Sequence, residues 1–150
     1  MLYFGAALVA AFDQLMKYLV KTRMEIGESI PIFGDFLRLT SHRNAGAAWG
    51  ILQGQRWFLI VMAIAVIVGI IYYSRRIESK LSKIALPILM GGALGNLIDR
   101  LLYGQVLDFL DVRIINYPIF NTADVAIVTA VALLLLDSFR LERNAEPHPK

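Results

Sequence analysis

Four long apolar runs decide what this chain can fold into. A helix rises about 1.5 Å per residue and the hydrocarbon layer of a membrane is about 30 Å thick, so about 20 mostly apolar residues cross it. The chain is 57% hydrophobic and 18% charged, which is more apolar than a typical soluble domain. We therefore predict an all-α membrane protein, a single domain over residues 1–150, with four transmembrane helices at residues 2–20, 57–73, 84–103 and 123–139.

The first apolar run has an alternative interpretation as a cleaved signal peptide. A signal peptide carries basic residues ahead of an uninterrupted apolar core. Here no basic residue precedes the run, and Asp13 interrupts it. We therefore favour a spanning helix.

Basic residues predict the orientation of the chain in the membrane. Lysine and arginine concentrate in cytoplasmic loops. The loop between the second and third runs and the C-terminal tail are both basic, through Arg75, Arg76, Lys80, Lys83, Arg140, Arg143 and Lys150. We expect both termini in the cytoplasm and the longer segment from Lys21 to Arg56, which also contains acidic residues, on the extracytoplasmic side.

The net charge of +3 belongs to residues that flank apolar runs. Basic residues in that position bind lipid headgroups. We expect membrane lipids as partners and no nucleic acid.

Two short β-prone pieces interrupt the polar segment after the first run. They cover residues 30–33 and 36–40 and are divided by Gly34 and Asp35. Apolar and β-branched residues bounded by turn-forming residues predict short strands. We expect a small strand-rich extracytoplasmic platform.

The inventory of metal ligands is small. The chain has no cysteine, and only His42 and His148 carry imidazole. Thiol chemistry is excluded and zinc chemistry is disfavoured, so we predict no metal site and no cofactor.

Charged residues within the first run require an explanation, because a charge costs roughly 2.5–3.5 kcal/mol on insertion. Asp13 and Lys17 are four residues apart with the acid first, which favours an ion pair on one helix face. We interpret this pair as structural.

The third run contains a second polar group beside small residues. Gly91 and Gly95 predict close approach of another helix. Asn96, Asp99 and Arg100 predict a buried polar network in which Asp99 and Arg100 are partners. An aspartate beside an arginine stays ionised and is a poor proton shuttle, so the network is expected to hold other groups in place.

Asp108 and Asp124 lie near predicted membrane boundaries. Two carboxylates can support hydrolysis, one as proton acceptor from water and the other as hydrogen-bond donor to the scissile carbonyl. Asp124 could instead complete a capping box with Asn121, and Asp108 could be a solvated loop acid. Spacing alone leaves these alternatives open, with Asp111 as the next candidate.

The motifs together resemble those of the lipoprotein signal peptidase (signal peptidase II) family, the membrane aspartyl proteases of bacteria. The resemblance covers nearly the whole chain. The matching motifs are Asp13-Gln14 with Lys17, His42-Arg-Asn-Ala-Gly-Ala-Ala-Trp-Gly50, Gly92-Ala-Leu-Gly-Asn-Leu-Ile-Asp-Arg100, Val106-Leu-Asp-Phe109 and Phe120-Asn-Thr-Ala-Asp124.

The resemblance implies that Asp108 and Asp124 are the catalytic dyad. It also implies supporting or substrate-binding roles for Asp13, Lys17, Asn44, Asn96, Asp99, Arg100 and Asn121. The implied substrate is a lipid-modified prolipoprotein, cut before its diacylglyceryl-modified cysteine. The implied location is the bacterial cytoplasmic membrane, with the active site toward the extracytoplasmic face. We expect a monomer.

Two other classes of function use some of the same residues. Intramembrane charges could form the relay of an ion- or proton-coupled transporter, although such sites lie near the bilayer midplane between repeated halves and this chain shows no repeat. A non-catalytic assembly factor could use the glycine face of the third run. That alternative leaves Asp108 and Asp124 unexplained.

Overall fold

The computed structural model describes residues 1–114 and 117–145, which form four long helices and one small sheet. His148 and Lys150 lie outside the described residues. The helices are α1 (Leu2–Arg23), α2 (Arg56–Ser74), α3 (Lys80–Tyr103) and α4 (Thr122–Ala145). Each predicted run therefore lies within one helix.

Three of the helices are long and apolar enough to cross a membrane: Arg56–Ser74, Lys80–Tyr103 and Thr122–Arg143. Helix α1 has 22 residues but carries Asp13, Lys17, Lys21 and Arg23, which lower its mean hydropathy. The prediction of a mostly helical protein is confirmed, and these three helices have the length and apolar composition of membrane spans.

Helix α3 is the centre of the helical layer. It packs against α1, α2 and α4, and 61% of its apolar stretch is buried, compared with 11% for α2 and 17% for α4. The remaining faces of α2 and α4 expose large apolar side chains, as lipid-facing helices do.

Glycines on α3 permit this close packing. A Cβ atom on Gly91 would lie 2.8 Å from the carbonyl oxygen of Ala6 in α1, and one on Gly92 would lie 2.6 Å from that of Ala123 in α4. A Cβ on Gly95 would lie 2.5 Å from the Asp13 carboxylate. The predicted close approach at Gly91 and Gly95 is confirmed, and Gly92 extends it to a second helix.

The sheet has three antiparallel strands in the order β1 (Ser29–Phe33), β2 (Leu37–Asn44) and β3 (Val106–Val112). The first two confirm the two predicted strands, and they pair with each other as an antiparallel hairpin. The third was not predicted, and it pairs with β2 so that His42 lies opposite Asp108 and Asn44 opposite Val106. This strand joins α3 to α4, so the sheet connects the first half of the chain to the second.

Candidate active site

Asp108 lies in the middle of β3 and is almost completely buried, with 2% exposure. Its two carboxylate oxygens have different partners. Asn44 Nδ2 donates to Oδ2 over 2.9 Å, and Asn121 Nδ2 donates to Oδ1 over 2.7 Å. The alternative of a solvated loop acid is therefore wrong.

Asp124 lies in the first turn of α4 and is half-buried. The Asn121 side-chain oxygen accepts from the Asp124 backbone N–H over 3.0 Å, and the Asp124 carboxylate accepts from the Asn121 backbone N–H over 3.1 Å. This reciprocal pair is the capping box that the sequence offered as the alternative interpretation of Asp124. It also leaves Oδ1 of Asp124 free to interact with α3.

Two asparagines join the two aspartates. Asn121 Nδ2 also donates to Asn96 Oδ1 over 3.0 Å, and Asn96 Nδ2 donates to Asp124 Oδ1 over 2.8 Å. A chain of hydrogen bonds therefore runs from Asp108 to Asn121, from Asn121 to Asn96, and from Asn96 to Asp124. Neutral amides hold the two carboxylates near one another without neutralising either.

Backbone pairing brings the strand and the helix together. The N–H groups of Phe109 and Leu110 both donate to the carbonyl oxygen of Phe120, over 2.9 and 2.8 Å, and Phe120 N–H donates back to Leu110 over 3.1 Å. Phe120 immediately precedes the capping residue of α4. The distance between the two aspartates is thus fixed by main-chain hydrogen bonds.

Asp13 holds the start of α4. Its Oδ1 accepts from the Thr122 hydroxyl over 2.6 Å and from the Ala123 backbone N–H over 2.8 Å, and the residue is completely buried. A carboxylate at a helix N-terminus satisfies free N–H groups and interacts favourably with the helix dipole. Asp13 therefore positions the turn that carries Asp124.

Asp99 holds the start of β3 in the same way. Its Oδ2 accepts from the Leu107 backbone N–H over 3.1 Å, one residue before Asp108, while Gln14 donates to its Oδ1 over 2.9 Å. Asp99 is thus a positioning residue for the strand.

Lys17 connects these two anchors to the asparagine bridge. Its Nζ lies 2.7 Å from Asp13, 3.1 Å from Asp99 and 3.1 Å from Asn96 Oδ1. The predicted Asp13–Lys17 pair is confirmed, and Lys17 has a second carboxylate partner.

The predicted pairing of Asp99 with Arg100 is wrong. Successive residues of a helix point about 100° apart, so the two side chains leave α3 in different directions. Arg100 instead donates to the backbone carbonyls of Gly46, over 3.1 Å, and Asn96, over 3.4 Å. It fixes the loop that follows Asn44.

That loop carries backbone strain and an exposed aromatic. Trp49 has a φ of 54° in a short 3₁₀ turn, and Leu52 has a φ of 58°, both in the left-handed region. The Trp49 ring meets Tyr117 edge to face at 5.6 Å, and Tyr117 meets Phe120 at 5.5 Å. This aromatic row extends from the loop to the residue before Asn121.

Burial and charge both act on Asp108. Loss of hydration, followed by the negative charge of Asp124, raises the pKa of Asp108 to about 7, against the lowering effect of hydrogen bonds from Asn44 and Asn121 and the charge of Lys17. A carboxyl group with this pKa exchanges a proton near neutral pH.

Two apolar cavities border Asp124 and its helix. The first, of about 330 Å³, is lined by Asp124 itself together with Val112, Tyr117, Phe120, Val125, Val128 and Thr129. The second, of about 500 Å³, lies between α1 and α4 and is lined by Leu8, Val9, Phe12, Leu110, Thr122, Val125 and Ala126. Val125 borders both cavities.

Sequence reasoning assigned no role to three residues that support this site. Gln14 donates to Asp99, Thr122 donates to Asp13, and Arg56 donates to the carbonyls of Arg100 and Leu101 over 2.8 and 2.9 Å. Gln14 lies within a charged motif of an apolar run, which was a usable signal. Arg56 gave no such signal, because the carbonyl groups that it binds, near the C-terminal end of α3, are distant from it in sequence.

Two aspartates joined through amides on a mostly helical scaffold supply the carboxyl groups that an aspartic-type endopeptidase needs. Residues 5–140 match the family model described as Signal peptidase (SPase) II. This chain therefore belongs to the signal peptidase II family. That membership removes the transporter and assembly-factor alternatives.

Relatives and solved structures agree with this assignment. The chain is 51% identical to a lipoprotein signal peptidase of Brevibacillus brevis, covering 91% of this chain and 93% of the relative, and 50% identical to one of Bacillus subtilis, covering 95% and 97%. A bacterial membrane enzyme solved in meso at 2.3 Å superposes with a TM-score of 0.91 at 37% identity, covering 98% of this chain and 92% of that chain.

Proposed function

We propose that this protein removes the signal peptide from prolipoproteins by cutting before the diacylglyceryl-modified cysteine, with Asp108 and Asp124 as the catalytic dyad. The observation that carries this proposal is the chain of side-chain hydrogen bonds from Asp108 through Asn121 and Asn96 to Asp124. These hydrogen bonds hold the two carboxyl groups near each other through neutral amides, so neither carboxyl group is neutralised by a cation within the bridge.

In the proposed reaction the dyad holds one proton. The ionised carboxylate takes a proton from water, and the protonated partner donates a hydrogen bond to the scissile carbonyl as the water oxygen attacks its carbon. The tetrahedral intermediate then collapses as the C–N bond breaks and the leaving nitrogen receives a proton from the dyad. A pKa of Asp108 near 7 suits an exchange of this kind.

Asn44 and Asn121 orient Asp108 in this reaction. Each amide holds one oxygen of the carboxylate, so the side chain cannot rotate away from the water. Their remaining polar atoms bind the protein's own backbone or Asn96 in the structure. We therefore assign both residues to positioning.

The apolar cavities beside Asp124 support a lipid-bearing substrate. Both are lined mostly by aliphatic and aromatic side chains, and they meet at Val125, next to the dyad. Such surfaces suit an apolar signal helix and acyl chains. Charged residues in these linings are limited to Asp124.

We propose that α1 is a fourth spanning helix of the same single domain. Its 22 residues extend about 33 Å, enough to cross the hydrocarbon layer. Asp13 and Lys17 are buried against α3 and α4, while Phe4, Leu8 and Phe12 are exposed. The charges that lower its hydropathy within the membrane are therefore turned away from lipid.

Four spans would place both termini in the cytoplasm of a bacterium and the sheet on the extracytoplasmic side. The dyad would then face the emerging end of a signal helix. We propose that the enzyme works as a monomer within the lipid bilayer.

The dyad is tested by cleavage of a diacylglyceryl-modified signal peptide in detergent, using Asp108→Asn, Asp124→Asn and the double variant. Positioned acid–base catalysis is worth about 10²–10⁴-fold in rate, so the cleavage rate of each single variant should fall at least about 100-fold. The double variant should be scarcely worse than either, because the two groups act as a unit.

Asp111→Asn is the matched control. Asp111 lies on the same strand and is buried, but its partners are Thr40 and Arg113 rather than the dyad. It should keep most of the activity. A single dyad variant that retains more than about a tenth of wild-type activity would remove that aspartate from the catalytic role.

The orientation is tested by cysteine labelling on this cysteine-free background. Glu78→Cys in the α2–α3 loop should be protected from an impermeant reagent in intact cells, and Asp35→Cys in the hairpin should react. Glu78 is exposed, whereas the neighbouring Ser79 caps α3 and binds Asp137. The opposite labelling pattern would reverse the proposed topology.

A further inference from the structure

A cavity of about 900 Å³ lies between α1, α3 and the sheet, apart from the groove at Asp124. Lys17 and Asp99 belong to its lining, but neither Asp108 nor Asp124 does. Its volume is in the range of known ligand sites. Nothing in the peptidase mechanism uses it.

The lining is strongly basic. Lys17, Lys21 and Arg43 contribute three cations, and Asp99 is the single carboxylate among the lining residues. Asp99 is already paired with Lys17 over 3.1 Å. Lys17 also pairs with the buried Asp13, which does not line the cavity, over 2.7 Å. The positive charge available to an anion is therefore that of Lys21 and Arg43.

Arg43 is half-buried, and one nitrogen of its guanidinium group lacks a partner among the described residues. It projects from β2 opposite Leu107, which also lines the cavity. Its Nη1 is buried and has no hydrogen-bond acceptor in the part of the chain that the structure describes. A buried guanidinium donor without an acceptor is costly, so an acceptor from outside the chain is expected at this position.

The other side of the cavity is lined by exposed aromatic and aliphatic side chains near the end of α1. Lys21 lies in the last turn of α1, with its Nζ 3.9 Å from the centre of the Tyr103 ring. Tyr18 and Tyr103 are 62% and 59% exposed, and Leu15 is also exposed. Lysines and tyrosines at a helix end are typical of the headgroup region.

We propose that this cavity binds an anionic phospholipid of the surrounding membrane. Its phosphate lies against Arg43 and Lys21, and its glycerol and acyl carbons follow Leu15 toward the bilayer interior. The charge selects an anionic headgroup, and the adjoining apolar wall selects a lipid over a soluble phosphate. This site depends on the proposed membrane arrangement of α1 but not on the identity of the dyad.

The experiment measures retained lipid. Full-length protein is placed in nanodiscs containing phosphatidylglycerol and phosphatidylcholine, released into detergent, and analysed by native mass spectrometry for bound lipid. Wild type should retain phosphatidylglycerol in preference to phosphatidylcholine. Lys21→Gln and Arg43→Gln should each weaken that retention about tenfold or more, the effect expected for loss of a direct hydrogen bond to a charged phosphate.

Arg23→Gln is the matched control, because Arg23 lies at the same end of α1, is exposed and does not line the cavity. It removes the same charge and should leave lipid retention unchanged. Lys21 is exposed, so its variant should fold even if Arg43→Gln does not. Arg43→Lys keeps the charge and should keep part of the retention.

Three results would overturn the proposal. They are equal retention of the two lipids, equal losses in the Lys21 and Arg23 variants, and displacement of the bound lipid by millimolar inorganic phosphate. Cleavage by Lys21→Gln in phosphatidylcholine nanodiscs should equal that of wild type, which separates failure of the lipid site from failure of the peptidase assignment.

Discussion

The side-chain amide of Asn121 donates a 2.7 Å hydrogen bond to the carboxylate of Asp108, from the residue that also caps the helix carrying Asp124. One asparagine thus fixes the strand aspartate and the helix aspartate together. Because this hydrogen bond favours the ionised form, it lowers the pKa of Asp108 against the opposing effects of burial and Asp124.

Replacing Asn121 with alanine should change both the stability and the pH dependence of the enzyme. Loss of the cap and of a hydrogen bond to a buried carboxylate should lower the free energy of unfolding by about 1–3 kcal/mol. Loss of the bond also raises the pKa of Asp108, so the alkaline limb of kcat/KM should move to higher pH. Asn44→Ala should move that limb in the same direction, and a profile unchanged in both variants would contradict the role of these amides.

How much of this site could be predicted depended on how local each contact was. The capping box of Asn121 and Asp124 and the pair of Asp13 and Lys17 lie within four residues, so spacing revealed them. The close approach of α1 to α3 was predictable in the same way, because Gly91 and Gly95 are also four residues apart. Helices were found from apolar length because lipid and buried neighbours impose one requirement on a whole run.

The contacts that assemble the dyad are long-range, and composition does not encode them. Asp99 was assigned to Arg100 because the two are adjacent, but its partners Lys17 and Gln14 lie on another helix. Strand β3 was missed because its seven residues follow a helix closely and carry two buried aspartates. Only the register with β2 shows why Asn44 reaches Asp108.

Removing the Asp108 charge should stabilise the protein at alkaline pH. The pKa of Asp108 is raised from an ordinary value of 3.8 to about 7 in the folded protein, so folding favours its protonated form. Between these two pH values the unfolded chain ionises while the folded one resists, and the stabilising contribution of the proton is lost as pH rises to about 7. Asp108→Asn should therefore gain thermal stability over wild type at pH 8 and little or none at pH 4. Thermal unfolding in detergent measures both, and a larger gain at pH 4 would contradict the raised pKa.

The activity of the wild-type enzyme should have a bell-shaped dependence on pH. The proposed mechanism needs one proton on the dyad, so activity falls when both carboxyl groups are protonated and again when both are ionised. The alkaline limb is expected near pH 7, where Asp108 loses its proton. Initial rates of signal-peptide cleavage from pH 4 to 9 measure the two limbs. A rate that stays constant to pH 9 would mean that the shared proton is not needed.

A methyl group on Gly92 should disturb the start of α4. Its Cβ would lie 2.6 Å from the Ala123 carbonyl and 2.8 Å from Ile127, and the backbone contact cannot move without shifting the helix that carries Asp124. Overpacking of this kind costs about 1–3 kcal/mol, so Gly92→Ala should lose both thermal stability and cleavage activity. Gly69→Ala in α2 is the control, because among the described residues no atom beyond its chain neighbours and the nearby backbone of its own helix lies within 4 Å of its Cβ position. Its greater helix propensity should leave stability unchanged or raised by up to about 1 kcal/mol.

Asp99 should behave as a positioning residue, with stability and activity lost together. Breaking a buried ion pair by removing one partner costs about 3–5 kcal/mol, and Asp99→Ala also leaves the Leu107 N–H at the start of β3 without its acceptor. Asp99→Asn keeps an oxygen for that N–H but loses the charge that pairs with Lys17, so it should recover part of both properties. Because neither variant changes the titrating dyad itself, the residual activity of each should keep the wild-type shape of its pH profile. Expression yield, thermal unfolding and cleavage rates are measured on the same preparations. A fully stable, well-expressed Asp99→Ala enzyme without activity would show that the carboxylate acts at the reacting atoms rather than through the strand that holds Asp108.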